Sequence, residues 1–215
     1  PAGSDPHEEF TGKNILIQRL SLEEAATKFK LSTEALAAEL KSSRETLFNV
    51  REKRPRPHLD DKVITAWNGL MISAFSKGHQ VLNDPSYLSA ATSAAEFIKE
   101  HLYSTETNRL VRNYRDGASD IEGFVDDYAF LIQGLLDLYE ASFDVQWLEW
   151  AQTLQATQDK LFYDSSSAGY YSATGNDPSI LLRLKEDYDG AEPSPNSVSI
   201  LNLLRLAQIT ANDQF

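Results

Sequence analysis

Cysteine is absent from the 215-residue chain, which excludes disulfides, thiolate metal sites and thiol redox chemistry within it. No stretch approaches the roughly 18 consecutive apolar residues of a membrane span. Residues 1–13 also lack the basic-then-apolar plan of a secretion signal. Glycine contributes only 10 residues, which excludes collagen-like and low-complexity classes. From these absences we expect a soluble, intracellular protein with an ordinary hydrophobic core.

Positive charge is also scarce, since 20 basic residues face 32 acidic ones and the net charge is −12. An acidic body repels phosphate backbones and anionic lipid headgroups. We therefore predict that neither nucleic acid nor a membrane is a partner. The acids are interspersed along the chain, as is typical of solvated helix faces.

A repeat dominates the chain from residue 67 onward. Residues 67–103 align with residues 127–163 at an offset of 60, and a third copy begins at residue 196, 69 residues further on. The turn acids Asp84 and Asp144 fall on each other in this alignment. Self-similarity at a fixed period is typical of an array of supersecondary units.

Each repeat predicts two helices of different character. Residues 128–140 are apolar nearly all round, which indicates an inner helix buried on most sides. The helix after Asp84 and Pro85 is one-sided, and its predicted buried stripe is Tyr87, Ala91, Ala94, Ile98 and Leu102. The fold class is therefore all-α, a closed double ring of helix hairpins, with short β-hairpins expected near 102–110 and 162–171. An open solenoid is the alternative, but its helices would be more evenly amphipathic.

The chain divides into two predicted parts. Residues 1–56 form a lead-in and two helices that start at Ser21 and Ser32 and end before the prolines that follow residue 54. Residues 57–215 hold the helix-hairpin repeats, and the third copy stops without its outer helix. An inner helix without a partner leaves apolar surface bare, so we expect further segments on both sides.

Four strings of the chain carry a family resemblance: PHLDDKVITAWNGLMIS, GFVDDYAFLIQGLLDLYEAS, WLEWAQTLQATQDKLF and LLRLKEDYDGAEPSPNSVSILNLLRL. With the lead-in HEEFTGKNIL (7–16), they resemble the family of spermatogenesis-associated protein 20. The resemblance implies larger proteins with a thioredoxin-like domain followed by a six-hairpin toroid similar to glycosidases and sugar 2-epimerases. This chain would match the second half of that toroid, so the resemblance implies a partial (α/α)6 toroid. The implied partners are the other half and the thioredoxin-like domain.

The repeat also predicts where a site would form. Trp67, Asp127 and Asn196 are equivalent positions at the starts of inner helices, which should gather at one mouth of a central cavity. Free N–H groups and the positive dipole end favour carboxylates or sugar oxygens there. Aromatic, carboxylate and amide groups together are typical of a carbohydrate site. The predicted substrate-binding residues are Trp67, Asn68, Tyr128, Asn196, His58, Asp61 and Lys62.

Paired acids are the sharpest chemical feature. Asp126 or Asp127 could be a general acid or base, with Asp189 or Glu192 as the second carboxylate. Glycoside hydrolysis needs two carboxyl groups about 5–9.5 Å apart. The resemblance implies that an enzyme of this fold would be glycoside hydrolase-like or sugar epimerase-like, with acidic residues in a central cavity. The alternative for Asp126, and also for Asp127, is that the acid only caps its helix.

Two polar loops precede inner helices. Residues 185–196 could close a site or bind a cation, or could be a surface loop in which Ser194 or Asn196 caps the next helix. Residues 60–62 lead into the first inner helix, and Lys62 is predicted to pair with an acid of a neighbouring loop.

The four histidines show no metal-ligand spacing, and we predict neither a metal nor a cofactor. Epimerases of the resembled fold depend on histidine, yet only His58 is predicted near the cavity mouth, which counts against that reaction. Trp147, Trp150 and Phe162 are predicted to be core. A non-catalytic scaffold for the thioredoxin-like domain is the second functional hypothesis.

Overall fold

The computed structural model describes residues 17–176 and 180–215. The lead-in string 7–16, which contains His7, lies outside the described residues. The chain forms two compact units, Pro1–Leu59 and Asp60–Phe215. Within the described ranges, no helix has both the length and the apolar character needed to cross a membrane.

The first unit contains helices α1 (Leu22–Phe29) and α2 (Thr33–Glu52). Ser21 caps α1 in a capping box, because its Oγ accepts from the Glu24 N–H at 3.2 Å and the Glu24 carboxylate accepts from the Ser21 N–H at 2.8 Å. Ser32 caps α2 through the N–H of Ala35. Both predicted helix starts are confirmed.

The second unit contains the helices of the repeat. They are α3 (Thr65–Leu82), α4 (Pro85–His101), α5 (Val125–Ser142), α6 (Val145–Phe162) and α7 (Pro195–Thr210). Helices α3 and α5 begin 60 residues apart, as do α4 and α6, which confirms the repeat. Each inner helix ends at a left-handed residue, Asn83, Phe143 or Ala211, with φ of 53°, 56° and 53°.

Helix α5 is the buried inner helix that the sequence predicts. Its side chains Leu131, Ile132, Leu135 and Leu136 are all 0% exposed. It packs so closely against α3 that a Cβ on Gly69 would lie 2.5 Å from the backbone N of Leu131. On its other side, buried Asn202 of α7 donates to the Ala129 carbonyl at 2.8 Å. The three inner helices therefore pack side by side.

The outer helices bury one face each. Helix α4 buries Ala91, Ala95 and Ile98, and α6 buries Trp147, Trp150 and Phe162, which confirms that these aromatics belong to the core. Lys99 of α4 packs over the aromatic residues of α6, since its Nζ lies 5.7 Å and 5.4 Å from the ring centroids of Trp147 and Trp150.

Short strands lie in the loops between the helices. Strand β1 (Val63–Ile64) pairs antiparallel with β4 (Asn113–Tyr114), and β2 (Tyr103–Ser104) pairs with β3 (Arg109–Leu110). The second pair confirms the hairpin expected after the first outer helix, and a bridge between Tyr163 and Tyr170 marks the second. The β1–β4 pair fastens the loop between α4 and α5 to the start of α3.

Candidate functional site

Asp127 connects the amino ends of two inner helices. Trp67 is the third residue of α3 and Asp127 the third of α5. The Asp127 carboxylate is fully buried and accepts hydrogen bonds from the Ala66 N–H at 2.9 Å and the Phe124 N–H at 2.9 Å. Arg112 donates a third bond from Nη1 at 3.0 Å. All three donors belong to the protein itself, so the Asp127 carboxylate holds the amino ends of α3 and α5 together.

Asp126 lies beside it but reaches the surface. Arg112 Nη1 is 2.6 Å from Asp126 Oδ2, and the Asp126 side chain is 21% exposed. The expectation that Asp126 caps α5 is wrong, because the N-cap residue is Phe124 and Asp126 is the second residue of the helix. Two acids in the first turn are favourable to the helix dipole, and Arg112 neutralises part of their repulsion.

The two carboxyl groups differ in their ionisation. Burial and the neighbouring Asp126 charge raise the pKa of Asp127 to about 7, while Arg112 and the Phe124 amide act in the opposite direction. Asp127 therefore holds a proton far more readily than an ordinary aspartate. Only Asp126 of the pair is placed to meet a ligand from solvent.

A pocket of about 270 Å³ opens between the amino ends of α5 and α7. Its lining includes Arg112, Phe124, Asp126, Ser172 and Glu186. The guanidinium carbon of Arg112 lies 5.2 Å from the centroid of the Phe124 ring. This cation–π contact supports the ring from one side. Two acidic residues, a serine and an aromatic residue thus line one opening.

Trp67 and Glu192 meet at the same end of the inner helices. The indole Nε1 of Trp67 donates to Glu192 Oε1 at 2.8 Å, and Trp67 is 54% exposed. Its neighbour Asn68 donates to the Ile64 carbonyl at 2.8 Å, within its own helix start. Trp67 follows Ala66, whose N–H is bonded to Asp127, along α3.

Asn196 is turned toward a loop. Its Oδ1 accepts from the Tyr170 N–H at 2.7 Å, and its Nδ2 donates to the carbonyls of Tyr170 and Glu186 at 3.0 Å and 2.8 Å. It is the second residue of α7, so its register differs from that of Trp67 and Asp127. Ser194 is the helix N-cap, and its N–H donates to Asp189 at 2.8 Å. Asn196 and Asp189 thus brace the loop before α7.

Tyr128 lies in the core. It is 1% exposed, its hydroxyl accepts from the Leu110 N–H at 2.9 Å, and its ring centroid is 5.5 Å from that of Phe162. Those contacts hold the loop between α4 and α5 against the helices. The structure does not bring this hydroxyl into the pocket.

The loop before α3 forms two ion pairs. Asp61 binds Arg115 at 2.7 Å, and Lys62 binds Asp60 at 2.8 Å. The prediction that Lys62 pairs with an acid of a neighbouring loop is wrong, since Asp61 is the residue that reaches a neighbouring loop. His58 is exposed and lies in the first unit.

Arg112 is the central residue that sequence reasoning missed. Arg109, Arg112 and Arg115 follow one another at intervals of three in one loop and bind Glu122, the Asp126–Asp127 pair and Asp61. Two acids at a buried helix start require a nearby cation. That requirement was the signal in the sequence for a basic partner. The repeat gives no equivalent for this loop, so nothing in the pattern selected one arginine of the three.

Two basic residues anchor the acid-rich loop before α7. Lys185 Nζ lies 2.7 Å from Asp164 Oδ2 and 2.7 Å from Ser167 Oγ, and Arg183 Nε donates to the Ala173 carbonyl at 2.9 Å. Within 17–176 and 180–215, no three histidine, aspartate or glutamate side chains are grouped to hold a metal ion. The side chains of Lys185 and Arg183 therefore hold this loop in place.

This anchor should weaken in acid. Lys185 and the hydroxyls of Ser166 and Ser167 hold the pKa of Asp164 well below its ordinary value of 3.8. A depressed folded pKa adds stability above the unfolded value, and that stability is lost as the pH falls below about 4. Wild type should therefore exceed Lys185→Met in free energy of unfolding near pH 6, and the difference should shrink toward pH 2 in urea titrations. A pH-independent difference would contradict an ionic anchor.

Solved structures define the fold class. A glycoside hydrolase family 76 α-mannanase of Bacteroides thetaiotaomicron matches with a TM-score of 0.56 at 17% identity, covering 74% of this chain and 39% of that one. A cellobiose 2-epimerase of Bacillus thermoamylovorans matches with a TM-score of 0.60 at 18% identity, covering 74% and 42%. At such identities the likeness shows the fold alone, and that fold is a partial (α/α)6 toroid.

Sequence relatives are closer. Spermatogenesis-associated protein 20 of Homo sapiens is 46% identical over 217 residues, which cover 97% of this chain, and the Mus musculus protein is 45% identical over 98% of it. An uncharacterized protein of Caenorhabditis elegans is 38% identical over 99% of the chain. The resemblance to spermatogenesis-associated protein 20 is confirmed along nearly the whole chain. The chain spans 28% of the length of the human and mouse proteins, and no protein-family model matches it.

Proposed function

We propose that this chain is a carbohydrate-binding part of a toroid domain and that its ligand enters the pocket between α5 and α7. The observation that carries the proposal is the convergence of Asp126, Glu186 and Phe124 on one opening at the amino ends of inner helices. Carboxylates bind sugar hydroxyls, and an aromatic ring covers the apolar face of a pyranose. The similar folds of a mannanase and an epimerase support a sugar as the ligand class, although a fold alone does not establish a function.

The proposed roles follow from accessibility. Asp126 is the carboxylate that contacts the sugar, Arg112 orients it, and Asp127 positions both from within the protein. Glu192 is a second candidate acid, because it is exposed beside Trp67. A reaction of the hydrolase or epimerase type would require two of these carboxylates to reach one sugar ring.

A thermal-shift titration with mono- and oligosaccharides, cellobiose and α-1,6-linked mannobiose among them, tests the proposal. A sugar present at about 100 times its Kd adds about 2.7 kcal/mol to the free energy of unfolding, which raises the melting temperature by several degrees. Asp126→Asn should abolish that shift. Glu149→Gln is the matched control, because it makes the same change on the exposed face of α6.

Each result has a clear meaning. If no saccharide raises the melting temperature, the carbohydrate proposal fails. If a sugar binds wild type and Asp126→Asn equally, it binds elsewhere. Once a sugar is identified, unchanged turnover in Asp127→Asn would remove that residue from catalysis.

A non-catalytic interaction module is the second candidate function. Helix α7 exposes an apolar stripe, with Ile200, Leu201 and Leu204 exposed by 59%, 49% and 64%. An apolar stripe on an inner helix favours cover by another part of the protein, and we propose the remaining toroid hairpins and a thioredoxin-like domain as these partners. Failure of every saccharide in the titration would leave this candidate in place.

A further inference from the structure

A second hollow adjoins the pocket between α5 and α7. It measures about 360 Å³, and its lining includes Ile121, Phe124, Ala173, Asn176 and Ile180. Phe124 and Ala173 also line the first pocket of about 270 Å³. The two hollows, together called the groove, therefore adjoin each other at Phe124 and Ala173.

Both hollows offer polar side chains, and the second adds apolar surface. The first hollow has the charged side chains Arg112, Asp126 and Glu186. The second has the apolar residues Ile121 and Ile180 beside the polar residues Asp120, Glu122 and Asn176. A ligand that fills both must offer hydroxyls at both ends and an apolar face to the two isoleucines.

The junction is held in place by backbone hydrogen bonds. The Phe124 N–H donates to Asp127 at 2.9 Å, and the Val125 N–H donates to the Ser172 carbonyl at 3.2 Å. On one side, the Gly123 N–H donates to the Leu110 carbonyl at 2.8 Å. On the other, Arg183 holds the Ala173 carbonyl. The groove is thus built before any ligand arrives, which lowers the entropic cost of binding.

We infer that the ligand is a disaccharide or a longer glycan whose second ring lies beyond Phe124, over Ile121 and Ile180. This inference rests on the carbohydrate proposal and specifies its substrate class. Ligand pockets usually enclose about 300–1,000 Å³, so the first hollow alone is small for a ligand site and the groove is of ordinary size. A pyranose ring supplies the apolar face for the isoleucines and hydroxyls for Asn176.

Calorimetry on the protein can measure this directly with three probes built on one sugar: the monosaccharide, its disaccharide and its nitrophenyl glycoside. The disaccharide should bind at least about tenfold more tightly than the monosaccharide. Ile121→Ala and Asn176→Ala should each weaken disaccharide binding several-fold and leave monosaccharide binding unchanged. Asn49→Ala, an exposed asparagine of the first unit, is the matched control and should alter neither.

The outcomes separate this inference from the function on which it rests. Equal affinity for monosaccharide and disaccharide overturns the second ring site and leaves the first pocket intact. A gain confined to the nitrophenyl glycoside also overturns it, because the second hollow would then hold an apolar aglycone. Absence of binding by all three probes overturns the carbohydrate proposal itself.

Discussion

Replacing Gly69 by alanine is expected to lower the free energy of unfolding by about 3 kcal/mol, the upper end of overpacking costs. The new Cβ would lie 2.5 Å from the backbone N of Leu131 and 2.5 Å from the carbonyl carbon of Phe130. Neither atom can move without shifting helix α5, so the inner helices would have to separate. Chemical denaturation measured by circular dichroism gives the value.

Gly78→Ala is the matched control in the same helix. Its Cβ would meet the Tyr87 ring at 3.6 Å, which is ordinary contact. Because alanine is the better helix former, this variant should be stabilised by roughly 0.5–1 kcal/mol. Equal stability changes in the two variants would show that the α3–α5 contact has room for a methyl group.

Asp127→Ala should be at least as destabilising, by roughly 3–5 kcal/mol, because removal of one member of a buried ionic network leaves its partners unpaired. The N–H groups of Ala66 and Phe124 would lose their acceptor inside the protein. Arg112 would keep only Asp126. Urea unfolding of the purified variant measures the loss.

Asp126→Ala is the comparison variant, because it removes a carboxylate bound to the same arginine from a partly exposed position. Its side chain is 21% exposed, and the Arg112–Asp127 bond survives the change. We expect a loss of only about 1 kcal/mol, typical of a partly exposed pair. If the two alanine variants were equally stable, Asp127 would not be the lock between α3 and α5, and its burial would need another explanation.

Both outcomes bear on function as well as stability. A residue that only positions its neighbours should weaken ligand binding in proportion to the structural damage. Asp126→Asn should instead remove binding while the protein stays folded. Comparing Asp127→Ala with Asp126→Asn in the thermal-shift titration distinguishes a structural support from a ligand contact.

Helices and their buried faces could be predicted from the sequence because the signals are local. Ser21, Ser32, Asp84 and Ser194 each accept a bond from an N–H two or three residues ahead, so a cap can be recognised without knowing the fold. The apolar periods of 67–103 and 127–163 likewise fix which helix is inner and which is outer. The repeat also shows which helices of the two hairpins are equivalent.

The assignments at the site depended on contacts that no local pattern encodes. Arg112 lies 15 residues from Asp127, and Ala66 lies 61 residues from it, yet both bind its carboxylate. Which of two adjacent acids turns inward follows from their places in the first turn of α5 and from the loop that brings the arginine. Loops between repeats have no periodicity, so their ion pairs could not be assigned in advance.

By itself, the sequence determined an all-helical chain of repeated hairpins and its inner and outer helices. Only the tertiary structure decided that Asp127 is enclosed, that Asp126 lines a pocket, and that Phe124 borders two adjoining hollows. The reason is physical: helix formation depends on neighbours within four residues, whereas burial of a charge depends on whichever distant cation the packing brings to it.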